Sequence, residues 1–210
     1  MTDIMHAESI TSAEALRAHY GEPPAMVVAM IKTFLDEHHQ NFIRHSPFVC
    51  VSSAAQDGQP NVSPKGDAPG FVHILDRKTL VIPDRPGNSK VESFENVIAN
   101  PKIALIFFIP GITESLRVQG TAKIVRGSDM LALGKVGEKL PPSALVVSVT
   151  KAYMHCGKAL IRSRLWAPES HVADGVIAPF SRVVKEQANA PMDVGEVQKH
   201  LDRAYREQLY

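Results

Sequence analysis

Cysteine is nearly absent from this chain: Cys50 and Cys156 are the only two in 210 residues. They lie far apart and outside any CxxC spacing, which argues against a disulfide framework and a thiolate zinc site. Charge of one sign is lacking too. The formal net charge is +1, too small a field to hold a polyanion such as DNA, so nucleic acid is not expected as a partner. A small anion makes lighter demands, because a phosphate needs only a few local cations and N–H donors. No apolar run reaches the length of a bilayer span. The opening MTDIMHAESITSAEAL has no basic segment followed by an apolar one. Neither a membrane span nor a secretory leader is therefore expected, and the chain reads as cytoplasmic. GxGxxG does not occur, and Gly134-Lys135 lacks the Ser or Thr that would complete a P-loop. Rossmann dehydrogenases and P-loop hydrolases both lose ground.

What is present is an ordinary globular composition, 44% hydrophobic and 21% charged, in a length that suits one buried core. A single, mainly β domain is expected over 1–210, with a helical extension at 1–45, a barrel at 46–167, and a tail and helix at 168–210. Thr11 and Glu14 have capping-box spacing for a helix running to Tyr20, ended by Gly21 and Pro23-Pro24. Met26, Val27, Met30, Ile31, Phe34 and Leu35 then follow helical spacing, which predicts helix as far as about His45. From Pro47 the pattern changes. FVCVSSA, PNVSP, FVHILD, TLVIP, KIALIFFI, SLRVQGTAKIVR and ALVVSVT read as short strands separated by turn residues. Helices interrupt them near Lys90–Ala99 and Met130–Leu140, without the regular alternation of a doubly wound sheet. After Trp166 the chain reads as irregular until Asp193. Asp193 and Glu196 cap a terminal helix with an apolar stripe of Val194, Val197, Leu201, Ala204 and Tyr205.

Three stretches carry residues suited to binding. In PDRPGNSKVESFENVIANP, Arg85 and Lys90 bracket Pro86-Gly87-Asn88-Ser89, a turn that opens into a helix. A phosphate dianion needs charge-assisted donors and free backbone N–H groups, and a helix start supplies the second. Arg85 suits a bidentate grip, Lys90 a point charge, and Asn88 and Ser89 neutral donors. The same spacing describes a solvated surface turn equally well. In NVSPKGDAPGF, Ser63, Lys65 and Asp67 lie at or just beyond a strand end, where Gly66 and Gly70 let the backbone bend close to a ligand. A plain connecting loop is the simpler reading there. Arg117, between Leu116 and Val118 on a strand, points either into a pocket or to solvent, because alternation turns every second residue outward. In AYMHCGKALIRSRLW, Lys158, Arg162, Arg164 and, when protonated, His155 surround Cys156 and Trp166. Cys156 reads as a buried inert thiol before a thiol activated by Lys158, and Trp166 as core before a ring stacked on an aromatic cofactor. His38, His39 and His45 read as a helix surface, since adjacent helical residues point apart and no HExxH accompanies them. No metal site is expected.

Taken together and in order, these stretches resemble a known family. Ser63 to Asp67 fit S-x-[RK]-G-D, and Pro83 to Asn88 fit P-[DN]-R-x-G-N. Asn100 to Ile103 fit N-P-x-[IV], Leu116 to Gly120 a Leu-Arg-Val strand with a following Gly, and His155 to Ala159 fit H-C-x-K-[AS]. The span from Phe34 to Trp166 thereby resembles the pyridoxamine 5'-phosphate oxidase-like, FMN-binding split-barrel proteins. Several motifs in the right order are far more specific than any one alone. The resemblance implies a six-stranded antiparallel split β-barrel with N-terminal helices and a C-terminal helix, assembled as a homodimer with FMN at the subunit interface. It implies that Arg85, Asn88, Ser89 and Lys90 hold the FMN phosphate, helped by Ser63 and Lys65. Arg117 would lie near the flavin or the phosphate, and Lys158 would approach from the second subunit.

The true oxidase carries an R-L-H-D-R-type segment near its C-terminus that binds the pyridoxal substrate. This chain reads VGEVQKHLDRAYREQLY instead. Fold and cofactor are thus implied, while oxidation of pyridoxamine phosphate is not. The leading expectation is an FMN-dependent oxidoreductase acting on a small molecule, with a nicotinamide as candidate electron donor. The others are a non-catalytic FMN carrier or redox sensor, and a haem-binding relative with His155 or His171 as candidate iron ligands. No catalytic residue is singled out.

Overall fold

The computed structural model describes residues 8–210. Residues 1–7, part of the stretch read above for a leader, lie outside the described residues. The chain forms two compact units, 1–31 and 32–210.

In the first unit, helix α1 spans Ala13–Tyr20 and α2 spans Ala25–Ala29. The α1 cap is Ser12, not Thr11: its hydroxyl accepts from the Ala15 amide, satisfying one of the donors a helix start leaves free. Pro24 precedes α2, whose fixed φ suits a helix entry.

In the second unit, the helix predicted to run on to His45 proves discontinuous. Residues between α2 and Asp36 leave helical geometry, and α3 restarts at Glu37–His45. Asp36 and His39 form a reciprocal capping box at its start, with histidine in the place where Glu or Gln usually stands. The backbone of Lys32 is drawn into an isolated bridge with Ala152, and the Leu35 amide donates to the carbonyl of Arg77. Tertiary pairing here overrides helical periodicity.

Seven strands follow: β1 Phe48–Ala54, β2 Pro60–Gly66, β3 His73–Asp76, β4 Thr79–Pro83, β5 Lys102–Phe108, β6 Ser115–Val125 and β7 Ala144–His155. They form one antiparallel sheet in the order β2-β1-β5-β6-β7-β4-β3. The fold is the mainly β split barrel expected, with seven strands rather than the six that the resemblance implied. The seven strand-like runs of the sequence each became a strand. Helix α4, Glu92–Ala99, lies between β4 and β5, and α5, between β6 and β7, is only Ser128–Ala132, short of the predicted Met130–Leu140.

Alternation builds the barrel interior. Along β1 and β5, Val49, Val51, Ile103, Leu105 and Phe107 are buried, while Cys50, Ser52, Ala104 and Ile106 on the other face are half-buried. Leu116 and Val118 from β6, Leu145 and Val147 from β7, and Leu80 and Ile82 from β4 complete the core. Phe42 and Ile43 of α3 and Val97 of α4 close over it. The register of β6 against β7 shifts between Gln119 and Gly120. A Cβ on Gly120 would lie 2.1 Å from the carbonyl oxygen of Ser148, so only glycine fits where these strands cross so closely.

After β7 come α6 at Lys158–Ser163, a 3-10 turn at Pro168–Ser170, α7 at Phe180–Gln187 and α8 at Val194–Glu207. Helix α7, within the stretch read as irregular, packs against α8. Asp193 caps α8 with Glu196 as expected, and Val197 of the predicted stripe is buried. No helix among the described residues is long and apolar enough to cross a membrane.

Candidate functional site

Six of the eight residues expected to bind line one cleft of about 560 Å³: Ser63, Lys65, Arg85, Asn88, Ser89 and Lys90. Two sequence-distant elements supply them. Edge strand β2 contributes Ser63 and Lys65 from its core-side face, where they pair with Val51 and Val49 of β1. The turn after β4 contributes the other four, at the approach to α4. A polar brace ties the helix that follows the turn, α4, to the strands beside it: the hydroxyl of Ser93 donates to Oδ1 of Asn61 on β2 at 2.9 Å, and Nδ2 of Asn96 donates to the hydroxyl of Ser53 on β1 at 3.1 Å.

The cations of the cleft each have a carboxylate partner. Nζ of Lys65 donates to Oδ1 of Asp84 at 3.3 Å, and Nζ of Lys90 lies 3.0 Å from Oε2 of Glu92. Arg85 donates from Nε to Oδ2 of Asp67 and from Nη1 to the carbonyl of Gly134, both at 2.6 Å. Gly134 is needed there, because a Cβ would lie 2.4 Å from that of Pro83. An added dianion therefore enters a site that is already charge-compensated. Donor capacity remains nonetheless. Arginine carries about five N–H donors and lysine about three, more than these contacts use.

The turn itself is strained. Ser89 has φ 57° and Val91 φ 36°, and a β-branched residue in the left-handed region is uncommon, at a cost on the order of 1–3 kcal/mol. Oδ1 of Asn88 accepts from the Lys90 amide at 3.1 Å, so this side chain shapes the turn and offers only its amide nitrogen outward. Val91 provides no side-chain cap for α4, so the start of this helix lacks the acceptor that its N-cap residue ordinarily supplies. Such a turn and helix start suit a phosphate.

Arg117 lies elsewhere. It pairs across the sheet with Ile106 and Tyr153, and Ile106 pairs with Cys50, which puts all four on the outer face, opposite Ser63 and Lys65. There they line a second cavity of about 250 Å³ with Ser52, Gln119 and Val62. Val62 lines both cavities, so edge strand β2 is the wall between them. Among the described residues, the buried Nε of Arg117 finds no hydrogen-bond partner, a costly state that a ligand acceptor would relieve. Lys158 opens α6, exposed and outside both cavities.

Two histidines stand close to the key arginines. Burial, and then the charge of Arg85, hold His73 below its ordinary pKa; burial, and then Arg117, do the same for His155. His39 is buried rather than on a helix surface, whereas His45 is exposed and contacts the carbonyl of Asn41. Among the described residues no three His, Cys, Asp or Glu side chains gather as a metal site would require. Cys156 is exposed, not buried, and Trp166 is half-buried with its indole N–H donating to the carbonyl of Ile112. The sequence reading missed Asp84 and Glu92, although both adjoin named cations. It also missed Pro142, Ser143 and Tyr210, for which no local signal exists.

Residues 35–156, more than half of the chain, match the family profile of pyridoxamine 5'-phosphate oxidase. No curated protein matches. Among solved structures, the chain is similar to a candidate pyridoxamine 5'-phosphate oxidase of Lactobacillus delbrueckii, with 25% identity and TM-score 0.46 over 58% of this chain and 95% of that one. HupZ of Group A Streptococcus is similar at 20% identity and TM-score 0.46, over 56% of this chain and 91% of that one. An FMN-binding protein of Syntrophomonas wolfei is similar at 14% identity and TM-score 0.45, over 68% and 96%.

Proposed function

The chain belongs to the pyridoxamine 5'-phosphate oxidase family, and on that premise we propose that it binds FMN and acts as an FMN-dependent oxidoreductase on a small molecule. One observation carries the reading: Ser63, Lys65, Arg85, Asn88, Ser89 and Lys90 converge on one cleft at a strained turn and an uncapped helix start. A phosphomonoester matches these donors, and an aromatic ring system matches the more apolar outer cavity around Ile106, Tyr153 and Arg117. A ligand with a phosphate at one end and a carbonyl-bearing ring at the other would pass over edge strand β2 and serve both cavities. The buried, unpartnered Nε of Arg117 would then gain an acceptor. Bound flavin would supply hydride transfer at its N5, with the protein providing position and electrostatics.

The active form in this proposal is a homodimer. The outer face carries Cys50, Ala104, Ile106, Phe108 and Tyr153 half-buried, and Val62 63% exposed. A second copy would cover this apolar face by a two-fold contact and bring Lys158 toward a site it does not reach within one chain.

Purified protein titrated with FMN tests the reading. Saturable quenching of flavin fluorescence is expected, with a flavin visible spectrum, and reduction by NADH or NADPH in stopped flow separates an oxidoreductase from a passive carrier. Failure to bind FMN, or a haem Soret band in its place, overturns it.

A further inference from the structure

Tyr210 lies 143 positions along the chain from Asp67, yet its hydroxyl donates to Oδ1 of Asp67 at 2.8 Å. Its ring sits 5.5 Å from the Arg85 guanidinium carbon, within reach of a cation–π contact. Its main-chain oxygen accepts from Nζ of Lys139 at 2.8 Å. Three contacts to three separate segments thus seat this residue beside the Asp67–Arg85 pair.

The division of labour on Asp67 is specific. Oδ1 takes the Ala68 amide and the Tyr210 hydroxyl, and Oδ2 takes Nε of Arg85. Burial alone would raise this carboxyl's pKa, but the hydrogen bonds from Ala68, Tyr210 and Arg85 outweigh it and hold it below the ordinary value. With Oδ1 fully used, Asp67 presents one oxygen to Arg85, and the carbonyl of Gly134 fixes the guanidinium from a second side. The remaining Arg85 donors are left with a set direction. A preorganised donor loses less freedom when it meets its ligand, and so binds it more tightly.

We infer that Tyr210 is a positioning residue for the anion cleft, holding Asp67 so that Arg85 is presented to a phosphate group. This rests on the phosphate reading of the cleft proposed above. Because it acts through Asp67, the effect of Tyr210 depends on that carboxylate, which a merely structural role would not require.

The test is a double-mutant cycle of Tyr210→Phe and Asp67→Asn on the full chain, with FMN and inorganic phosphate as separate probes and thermal midpoints measured alongside. Tyr210→Phe keeps the ring and removes only the hydroxyl. It is expected to weaken both ligands by about fivefold, the low end of couplings between sites. In the Asp67→Asn background the amide oxygen can still accept the Tyr210 hydroxyl but no longer anchors Arg85 by charge, so the same change should have a much smaller effect. An ultraviolet titration reads the contact without any ligand: the tyrosine with the raised pKa should vanish in Tyr210→Phe and return toward the ordinary range in Asp67→Asn. Unchanged or tighter binding by Tyr210→Phe, or the same loss with and without Asp67, overturns the inference while leaving FMN binding standing. If the unsubstituted protein binds neither probe, the phosphate reading falls and the inference with it.

Discussion

Nε of Arg85 donates to Oδ2 of Asp67 at 2.6 Å, and the two side chains are 17% and 5% exposed. The arginine expected to grip a phosphate is therefore first an internal strut, joining the turn after β4 to the loop after β2. Breaking such a sheltered pair leaves one charge uncompensated. Arg85→Ala should lower stability by about 3 kcal/mol as well as stripping flavin from the purified protein. Urea denaturation followed in parallel with flavin content checks both, and an unchanged midpoint would contradict the strut.

Lys90 separates binding from folding more cleanly, because its side chain is 73% exposed and its partner Glu92 40%. Exposed pairs contribute little to stability. Lys90→Ala should leave the unfolding midpoint almost unchanged and weaken FMN binding about tenfold, the worth of roughly one charge-assisted hydrogen bond. Wild-type affinity in this variant would remove Lys90 from the phosphate grip.

Arg117 makes an opposite prediction about stability. Its buried Nε has no partner among the described residues, so replacing the side chain with an apolar one removes a penalty rather than a bond. Arg117→Leu should fold with stability unchanged or higher by about 1 kcal/mol. Its bound flavin should be harder to reduce, since a nearby cation favours the anionic reduced ring. Spectroelectrochemical titration reads this, and an unaltered potential would mean that Arg117 does not face the flavin.

Stability should also depend on pH through three histidines. Burial is the main cause holding His39, His73 and His155 below their ordinary pKa, partly offset at His39 by Asp36. A depressed folded-state pKa means that the unfolded chain binds protons first, so stability rises with pH across that window. The contribution is complete above about pH 6.5, the unfolded value, and is lost as pH falls through the lower folded values. Thermal midpoints should therefore fall between pH 7.5 and 5, by less in a His39→Gln, His73→Gln double variant. Equal falls in both proteins would assign the loss to other groups.

The dimer proposal has its own probe in Ile106, which pairs with Arg117 on the outer face and points away from the core. Ile106→Glu should leave the fold intact and shift sedimentation toward the monomer, with flavin affinity falling in step, because a ligand that binds only the assembled state stabilises it by mass action. A monomeric wild type that binds FMN at full affinity would remove the interface site.

Much of this protein was legible in its sequence, for reasons that are local. Strand alternation such as that in FVCVSSA and KIALIFFI needs no partner to be recognised, and all seven runs became strands. The capping box at Asp193 and Glu196, and the turn chemistry of Pro83 to Asn88, likewise act within a few residues. What the sequence could not determine depends on register and on distant contacts. Helical spacing from Met26 to Leu35 yielded where the Lys32 backbone found a partner in Ala152. Whether Arg117 turned inward or outward was decided by its pairing with Ile106 and Tyr153, since a one-residue slip reverses every side chain on a strand. The arginine read as a phosphate ligand met Asp67, Gly134 and Tyr210 only because the fold brought three remote segments to it. Periodicity and turn chemistry are written residue by residue, but which charges meet is settled only when the barrel forms.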